Sequence, residues 1–496
     1  MARALTGFVK KLRDIMRNDP GVNGDAQRIE QIVWPLFLKA YDAKEADWEF
    51  EDENYVSIVP ENCRWRAWGD NKSGKGLTGD ELLDFVNNEL FPTLKNLPVD
   101  ASTPTKQAVV RAVFTDANNY MKDGVLLRQI IDEIGSLNLD DYEESRAFAG
   151  VYEQMLKELQ SAGAAGEFYT PRAVTDFMAE AVEPKIGETM ADLACGTGGF
   201  ITSWLKELSK RQKKADDVQK IADSVYGIEK KQLPYILCVT NMLVHGADEP
   251  RIYHDNALLR DLLDYTDDDR FDVILMNPPY GGSEKLDVQN HFPKDLRSSE
   301  TADLFVATIA YRLKRGGRAA VVLPDGFLFG SDAAKTNIKR KLLTEFNLHT
   351  IVRLPGSVFA PYTSIATNLL FFDRTGATRE TWFYRLDMPD GYKHFSKTKP
   401  MTPEHFAPVR AWWKNRVELE VDGAPKAKRF DAAELGEASG FDWDRCGFPR
   451  PEEEILDPKE TIERYQAKRA ELNRRVDATL AAIREKLGIA TEDEDE

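Results

Sequence analysis

The sequence predicts a doubly wound α/β domain with a largely parallel sheet, preceded by a helical amino-terminal domain and followed by a carboxyl-terminal helix. Three observations carry this. Short apolar runs alternate with helical patterns between about residues 165 and 375, amphipathic 3.6-period segments come before them, and one apolar stripe lies near the end. At about 100–200 residues per domain, a chain of 496 residues holds two to four domains. The boundaries read here are 1–160 (helical), 161–375 (α/β), 376–450 (a polar, aromatic extension without an assigned fold) and 451–496 (helix and acidic tail).

In the first segment Leu5, Phe8, Val9, Leu12, Ile15 and Met16, and then Ile29, Ile32, Val33, Phe37 and Tyr41, recur at spacings of three and four. The turn Asn18–Gly24 separates them, and the pattern alone favours a bundle packed on itself. Gly69–Gly79 reads as an exposed loop; its Gly74-Lys75-Gly76 lacks the spacing of a phosphate-binding loop. After the small-residue run Ser161–Gly166, buried strands are predicted at 190–194, 225–228, 271–276, 318–323, 349–354 and 368–372. Helices are predicted between them, for example at 200–210 and 303–314, so ligands belong at the carboxyl ends of the strands. The extension carries Trp382, Tyr384, Trp412, Trp413 and Trp443. From Pro451 onward Ile462, Tyr465, Leu472, Val476, Leu480, Ile483 and Leu487 form one stripe, Gly488 ends the helix, and Glu492–Glu496 is acidic. Docking of this helix on its own domain and docking on a partner are both compatible with the stripe.

Composition narrows the class. No apolar run reaches the roughly 18 residues of a membrane helix, and the amino terminus lacks the apolar core and cleavage site of a secretory signal. A cytoplasmic location without membrane association is therefore expected. Cys63, Cys195, Cys238 and Cys446 are widely spaced and the 6 histidines form no paired motif, so neither a disulfide framework nor a metal site is expected. With 66 basic against 83 acidic residues, net −17, the chain repels a phosphate backbone at long range. If it acts on DNA, its cations come from elsewhere.

The chemistry begins at Asp192-Leu-Ala-Cys-Gly-Thr-Gly-Gly-Phe200, where a strand meets a helix. Gly196, Gly198 and Gly199 allow a tight turn and close approach of a ligand, but their spacing is not that of a dinucleotide fingerprint. A carboxylate at Asp192 suits a ligand with a cationic amino group, which S-adenosylmethionine carries together with a sulfonium. Glu229, after the next strand, stands where a carboxylate accepts from two ribose hydroxyls. Asp255 and Asn256 are candidates to meet an adenine amino group. In Asn277-Pro278-Pro279-Tyr280, two prolines remove two N–H donors and fix the backbone, so that carbonyls can point outward beside the Asn277 amide oxygen. Two acceptors then converge on one NH₂. A conjugated amine is a poor nucleophile, and accepting both its hydrogens favours the pyramidal form developing in the transition state. Tyr280 offers a flat face for a planar group such as a flipped-out base.

These motifs resemble the S-adenosylmethionine-dependent amino methyltransferases. Gly166-Glu-Phe-Tyr-Thr-Pro-Arg-Ala-Val174, ahead of the glycine loop, is similar to the cofactor segment of their gamma class. The closest match is the modification subunit of type I restriction-modification systems, to which stretches 28–43, 302–329 and 354–372 are also similar; the resemblance spans about 5–375. It implies a Rossmann-like methyltransferase fold acting on adenine in DNA. It also implies that Phe168, Tyr169 and Thr170 bracket the methionine end of the cofactor. Asp192, Gly196, Thr197 and Gly198 would line the same end, Glu229 would hold the ribose, and Asp255 with Asn256 would contact the adenine ring. Asn277, Pro278, Pro279 and Tyr280 would hold the target base. The implied partners are a specificity subunit, a second modification subunit brought in through the complex, DNA, and a restriction subunit where the complex cleaves. One departure is the thirty-residue interval from Gly199 to Glu229, where the charged Lys206–Lys220 reads as a longer surface helix.

The proline tetrapeptide also serves enzymes that methylate a translation-factor glutamine or a ribosomal RNA guanine, but these are usually shorter and lack both flanking helical regions. A non-catalytic acidic scaffold is disfavoured by the intact tetrapeptide, and a dinucleotide oxidoreductase by the glycine spacing. The chain has little room for a domain that reads bases, so a separate protein is expected to supply recognition and cations, with the Ile462–Leu487 stripe packing against its helices.

Overall fold

The strands read as apolar runs are all present, and each is apolar for the same reason: it is covered on both faces. In a computed structural model, which describes residues 2–70, 76–100, 102–137, 169–245, 247, 249–360, 363–396, 398–449 and 457–487, the strands are β1 (Met190–Asp192), β2 (Val225–Glu229), β3 (Ile252–His254), β4 (Phe271–Met276), β5 (Leu313–Pro324), β6 (Asn347–Arg353), β7 (Thr367–Asp373), β8 (Glu380–Arg385), β9 (Leu419–Val421) and β10 (Ala424–Asp431). They form one sheet in the order β3-β2-β1-β4-β5-β7-β6-β8-β10-β9. On β4, Val273 and Leu275 face one core cluster while Ile274 and Met276 face the other, all four fully buried. Helices on both faces thus turn an alternating strand into a continuous apolar run.

From β3 to β5 neighbouring strands are parallel, as expected. β7 runs antiparallel to both β5 and β6. The described part of the link from β6 to β7 holds no helix, and without a crossover helix the chain is free to return in the opposite sense. The extension beyond Asp373 continues this sheet: β8 pairs parallel with β6, and β10 antiparallel with β8 and β9.

Two expectations need correction. The amino-terminal helices are not a bundle closed on itself. The helix Gly24–Glu51 packs against the helix Gln232–Val244, and one core cluster runs from Trp34 and Phe37 through Cys238 to Val273. Gln232 Nε2 fastens this junction by donating to the Val113 carbonyl at 2.6 Å. An amphipathic stripe declares that a helix buries a face, not against what. The stretch read as an exposed loop starts inside: Gly69 is buried and its carbonyl accepts from the Arg128 guanidinium at 2.6 Å, while residues 71–75 lie outside the described residues.

The chain divides into two compact units, Met1–Gly447 and Phe448–Glu496. In the second, Pro458–Leu487 is one helix of 30 residues. Ile462, Tyr465, Leu472, Val476, Leu480 and Ile483 on it are each 46–64% exposed. Pro451, Gly488 and the acidic residues 492–496 lie outside the described residues. Among the described residues no helix is long and apolar enough to cross a membrane, and no cluster of His, Cys, Asp or Glu is placed to hold a metal.

Candidate active site

β1 delivers Asp192 to the carboxyl edge of the sheet, and the chain then turns through Leu193–Gly198 into the helix Gly199–Ser209. The turn demands glycine. Gly196 and Gly198 have φ of +53° and +82°, and a Cβ at Gly198 would lie 2.9 Å from Cys238 Sγ. Asp192 is only 1% exposed and accepts a hydrogen bond from the Ala194 N–H at 3.2 Å. Among the described residues no basic side chain pairs with it. Burial therefore pushes its carboxyl well above the usual carboxylate range, with the charge of Glu229 adding to the rise.

Glu229, the last residue of β2, faces the same turn. Its two oxygens accept from the Gly196 N–H at 2.9 Å and the Lys231 N–H at 2.7 Å. Burial raises its pKa as well, against the pull of those two N–H groups. The long interval before it is not one extended helix, as expected, but two helices, Gly199–Ser209 and Asp217–Ala222. Asp217, the first residue of the second helix, accepts from the Lys213 and Lys214 N–H groups of the connection, and a carboxylate that bonds backbone donors interrupts the helix here. Glu229 keeps its place opposite Gly196 because the extra residues loop out at the other edge. After β3, the Asp255 N–H donates to the Glu229 carbonyl at 3.1 Å, and the Asn256 side-chain oxygen accepts from the Leu258 N–H at 3.1 Å.

Asn277 follows β4 directly. Its Nδ2 donates to Thr170 Oγ1 at 3.1 Å, and its Oδ1 is buried with no partner among the described residues. Pro278 is buried and Pro279 exposed. Tyr280 is half-buried against the second core cluster, and burial pushes its hydroxyl up to about 12.

A cleft joins these groups, lined by Thr170, Asp192, Gly196, Glu229, Asp255, Asn256, Asn277 and Pro279 among others. Eight predicted residues from five separate stretches thus meet in one cavity. Tyr169, Thr197, Gly198, Pro278 and Tyr280 are not among its lining residues. Tyr169 is buried beneath the Arg172 guanidinium, and the Thr197 carbonyl accepts from Asn241 Nδ2 at 3.1 Å. Phe168 lies outside the described residues. Sequence reasoning missed Lys230, Glu284 and Phe305, which also line the cleft; Lys230 Nζ and Glu284 Oε1 are 3.4 Å apart. Lys230 adjoins Glu229 and was within reach of the motif. Glu284 and Phe305 carry no local signal, because only tertiary folding brings them there.

Comparison with known proteins identifies the family of most of the chain. Residues 143–439 match the N-6 DNA methylase family, and residues 5–134 match the HsdM N-terminal domain. The chain is 46% identical over 475 residues to the EcoEI type I restriction enzyme methylase subunit of Escherichia coli, covering 95% of each. It is 26% identical over 423 residues to the EcoKI methylase subunit of Escherichia coli K12, covering 80% of this chain and 74% of the other. A solved chain from a study of assembly and conformational transition of the type I R-M system superposes with a TM-score of 0.80 at 33% identity, over 99% of this chain and 100% of that one. The chain therefore belongs to the N-6 DNA methylases and, among them, to the methylase subunits of type I restriction enzymes.

Proposed function

We propose that the cleft binds S-adenosylmethionine and that Asn277 and its neighbours present the exocyclic amine of a flipped-out adenine to it. The residues fit that cofactor. A buried carboxylate without a cationic partner is costly on its own, and the amino group of the cofactor's methionine end would supply the partner that Asp192 lacks. Glu229 would hold the ribose hydroxyls, and Asp255 with Asn256 the adenine ring. Thr170, with Phe168, Tyr169, Gly196, Thr197 and Gly198, would shape the methionine end, some of them by supporting the turn rather than by contact. Bound there, S-adenosylmethionine supplies a methyl group activated by its sulfonium.

The single observation carrying the target side of this reading is the buried Asn277 Oδ1, an acceptor whose amide is tethered to Thr170 and which has no donor among the described residues. Together with the Pro278 carbonyl it would accept both hydrogens of the adenine NH₂ and localise the nitrogen lone pair. Tyr280 would stack on the ring, with Pro279 fixing the turn. No general base is required, since the amine becomes acidic once methylated and loses its proton to water. Asn277→Ala should bind cofactor as the wild type does yet methylate about 10²–10³ times more slowly. Equal methylation by a folded variant would remove Asn277 from the reaction.

The same reading divides labour along the chain. Residues 161–375 would form the catalytic domain, 1–160 a helical domain, 376–450 an extension of the sheet, and 451–496 the contact with a specificity subunit. The exposed stripe on Pro458–Leu487 suits packing against helices of that partner. The partner would read the site, supply the cations that a chain of net charge −17 lacks, and bring in a second methylase subunit. A restriction subunit would join where the complex cleaves. The work would be done in the cytoplasm, with the DNA.

A further inference from the structure

An adenine held by Asn277 has left a gap in its duplex, and something must fill or tolerate it. The strand beside β4 ends in an unusual display. β4 and β5 are parallel neighbours with Met276 opposite Val321, so the Asn277–Tyr280 turn sits level with the end of β5 and the short helix Asp325–Phe329 that follows. In that helix Phe327 and Leu328 are buried to 1% and 0%, whereas Phe329 is 58% exposed. Ile365, 45% exposed, stands at the same edge, where the Asp325 N–H donates to the Ala366 carbonyl at 3.0 Å.

The backbone carrying Phe329 is held from several sides. Lys339, fully buried, donates from Nζ to the Leu328, Gly330 and Phe441 carbonyls at 2.6, 2.9 and 2.8 Å. The Trp443 N–H donates to the Leu328 carbonyl at 3.0 Å, and the Gly330 N–H to the Gly326 carbonyl at 3.0 Å. Gly330 has no room for a side chain, since a Cβ would lie 2.6 Å from both the Gly326 oxygen and Lys335 Cδ. Burying a lysine head group is expensive unless every proton is used, and here two of the three fix the residues on either side of one exposed ring while the third ties them to Phe441. Such rigidity suits a side chain that must enter a stack without folding back into its own protein.

We infer that Phe329 is the stack-filling residue of the reaction: it enters the duplex at the position vacated by the target adenine and holds the base out. Planar and apolar wedges do this in other DNA-bending and base-extruding proteins. The inference rests on the adenine reading above and deepens it.

The test uses the full chain assembled with its specificity subunit, on two duplexes that differ only opposite the target adenine: thymine in one, an abasic site in the other. F329A should keep its cofactor affinity and methylate the paired duplex on the order of ten- to a hundredfold more slowly. On the abasic duplex, where the adenine has no partner to leave, F329A and wild type should be nearly equal, and F329W should stay close to wild type on both. Equal losses on the two duplexes, or none on either, would overturn the role of Phe329 while leaving the adenine reading intact. A wild-type complex that methylates adenine in neither duplex overturns both.

Discussion

Replacing Asp192 by asparagine separates what this residue does for the fold from what it does for the ligand. The side chain is 1% exposed, with the Ala194 N–H as its protein donor, and burial holds its carboxyl well above the usual range. An acid whose folded-state pKa is raised stabilises the fold below its unfolded pKa and loses that contribution as pH rises through the folded one. Above that window the wild-type protein therefore carries a buried, unpaired charge, and Asp192→Asn removes it with almost no change of shape. Without cofactor, above that window, the variant should melt at the same temperature as wild type or higher. With cofactor the order reverses. A charge-assisted hydrogen bond is worth about 1.5–3 kcal/mol, so S-adenosylmethionine should bind roughly ten- to 150-fold more weakly. Calorimetric titration at several pH values measures both parts. Wild-type affinity should tighten, with proton release, as pH rises through the raised Asp192 pKa, and in the variant most of that dependence should vanish, leaving the smaller share of Glu229, which burial also raises. Unchanged affinity in a folded Asp192→Asn protein would refute the pairing of this carboxylate with the cofactor amine.

Other consequences follow from the same geometry. Gly198→Ala puts a Cβ 2.9 Å from Cys238 Sγ at a φ of +82°, and chemical denaturation should show a loss of about 1–3 kcal/mol. Weakened cofactor binding should accompany it, and a wild-type denaturation curve would mean that the turn is not strained by a side chain. Deleting the chain from Asp457 onward should leave cofactor affinity unchanged and abolish co-elution with the specificity subunit; a truncated chain that still elutes with that partner would place the contact elsewhere.

The most legible parts of the sequence were those in which neighbouring residues do one job. Residues 271–276, buried on both faces, read as a strand with the observed ends, and the glycine turn and proline turn announced their backbone chemistry directly. Less could be read where partners are distant. β9 is three exposed residues and β10 is largely exposed and rich in charge, so no buried apolar run marks them; β10 exists through pairing with β8, and β9 through pairing with β10. β3 has only three residues, of which Ile252 alone is buried. Within the site, acids at strand ends could be found one by one. The Lys230–Glu284 tie across the cleft could not, because 54 residues separate its members. The tether between Asn277 and Thr170, 107 residues apart, was likewise beyond local pattern, although both residues had been singled out.

In the proposed reaction this chain places a methyl group on the exocyclic amine of adenine in DNA through the acceptors at Asn277 and Pro278. Its most direct test is mass analysis of the nucleosides from duplex DNA incubated with the chain, its specificity subunit and isotope-labelled S-adenosylmethionine. Label is expected in N6-methyladenine for the wild type and almost none for Asn277→Ala, with cofactor binding equal in the two. Label on cytosine, or none in the DNA, would contradict it, as would label in N6-methyladenine at an equal rate from both proteins.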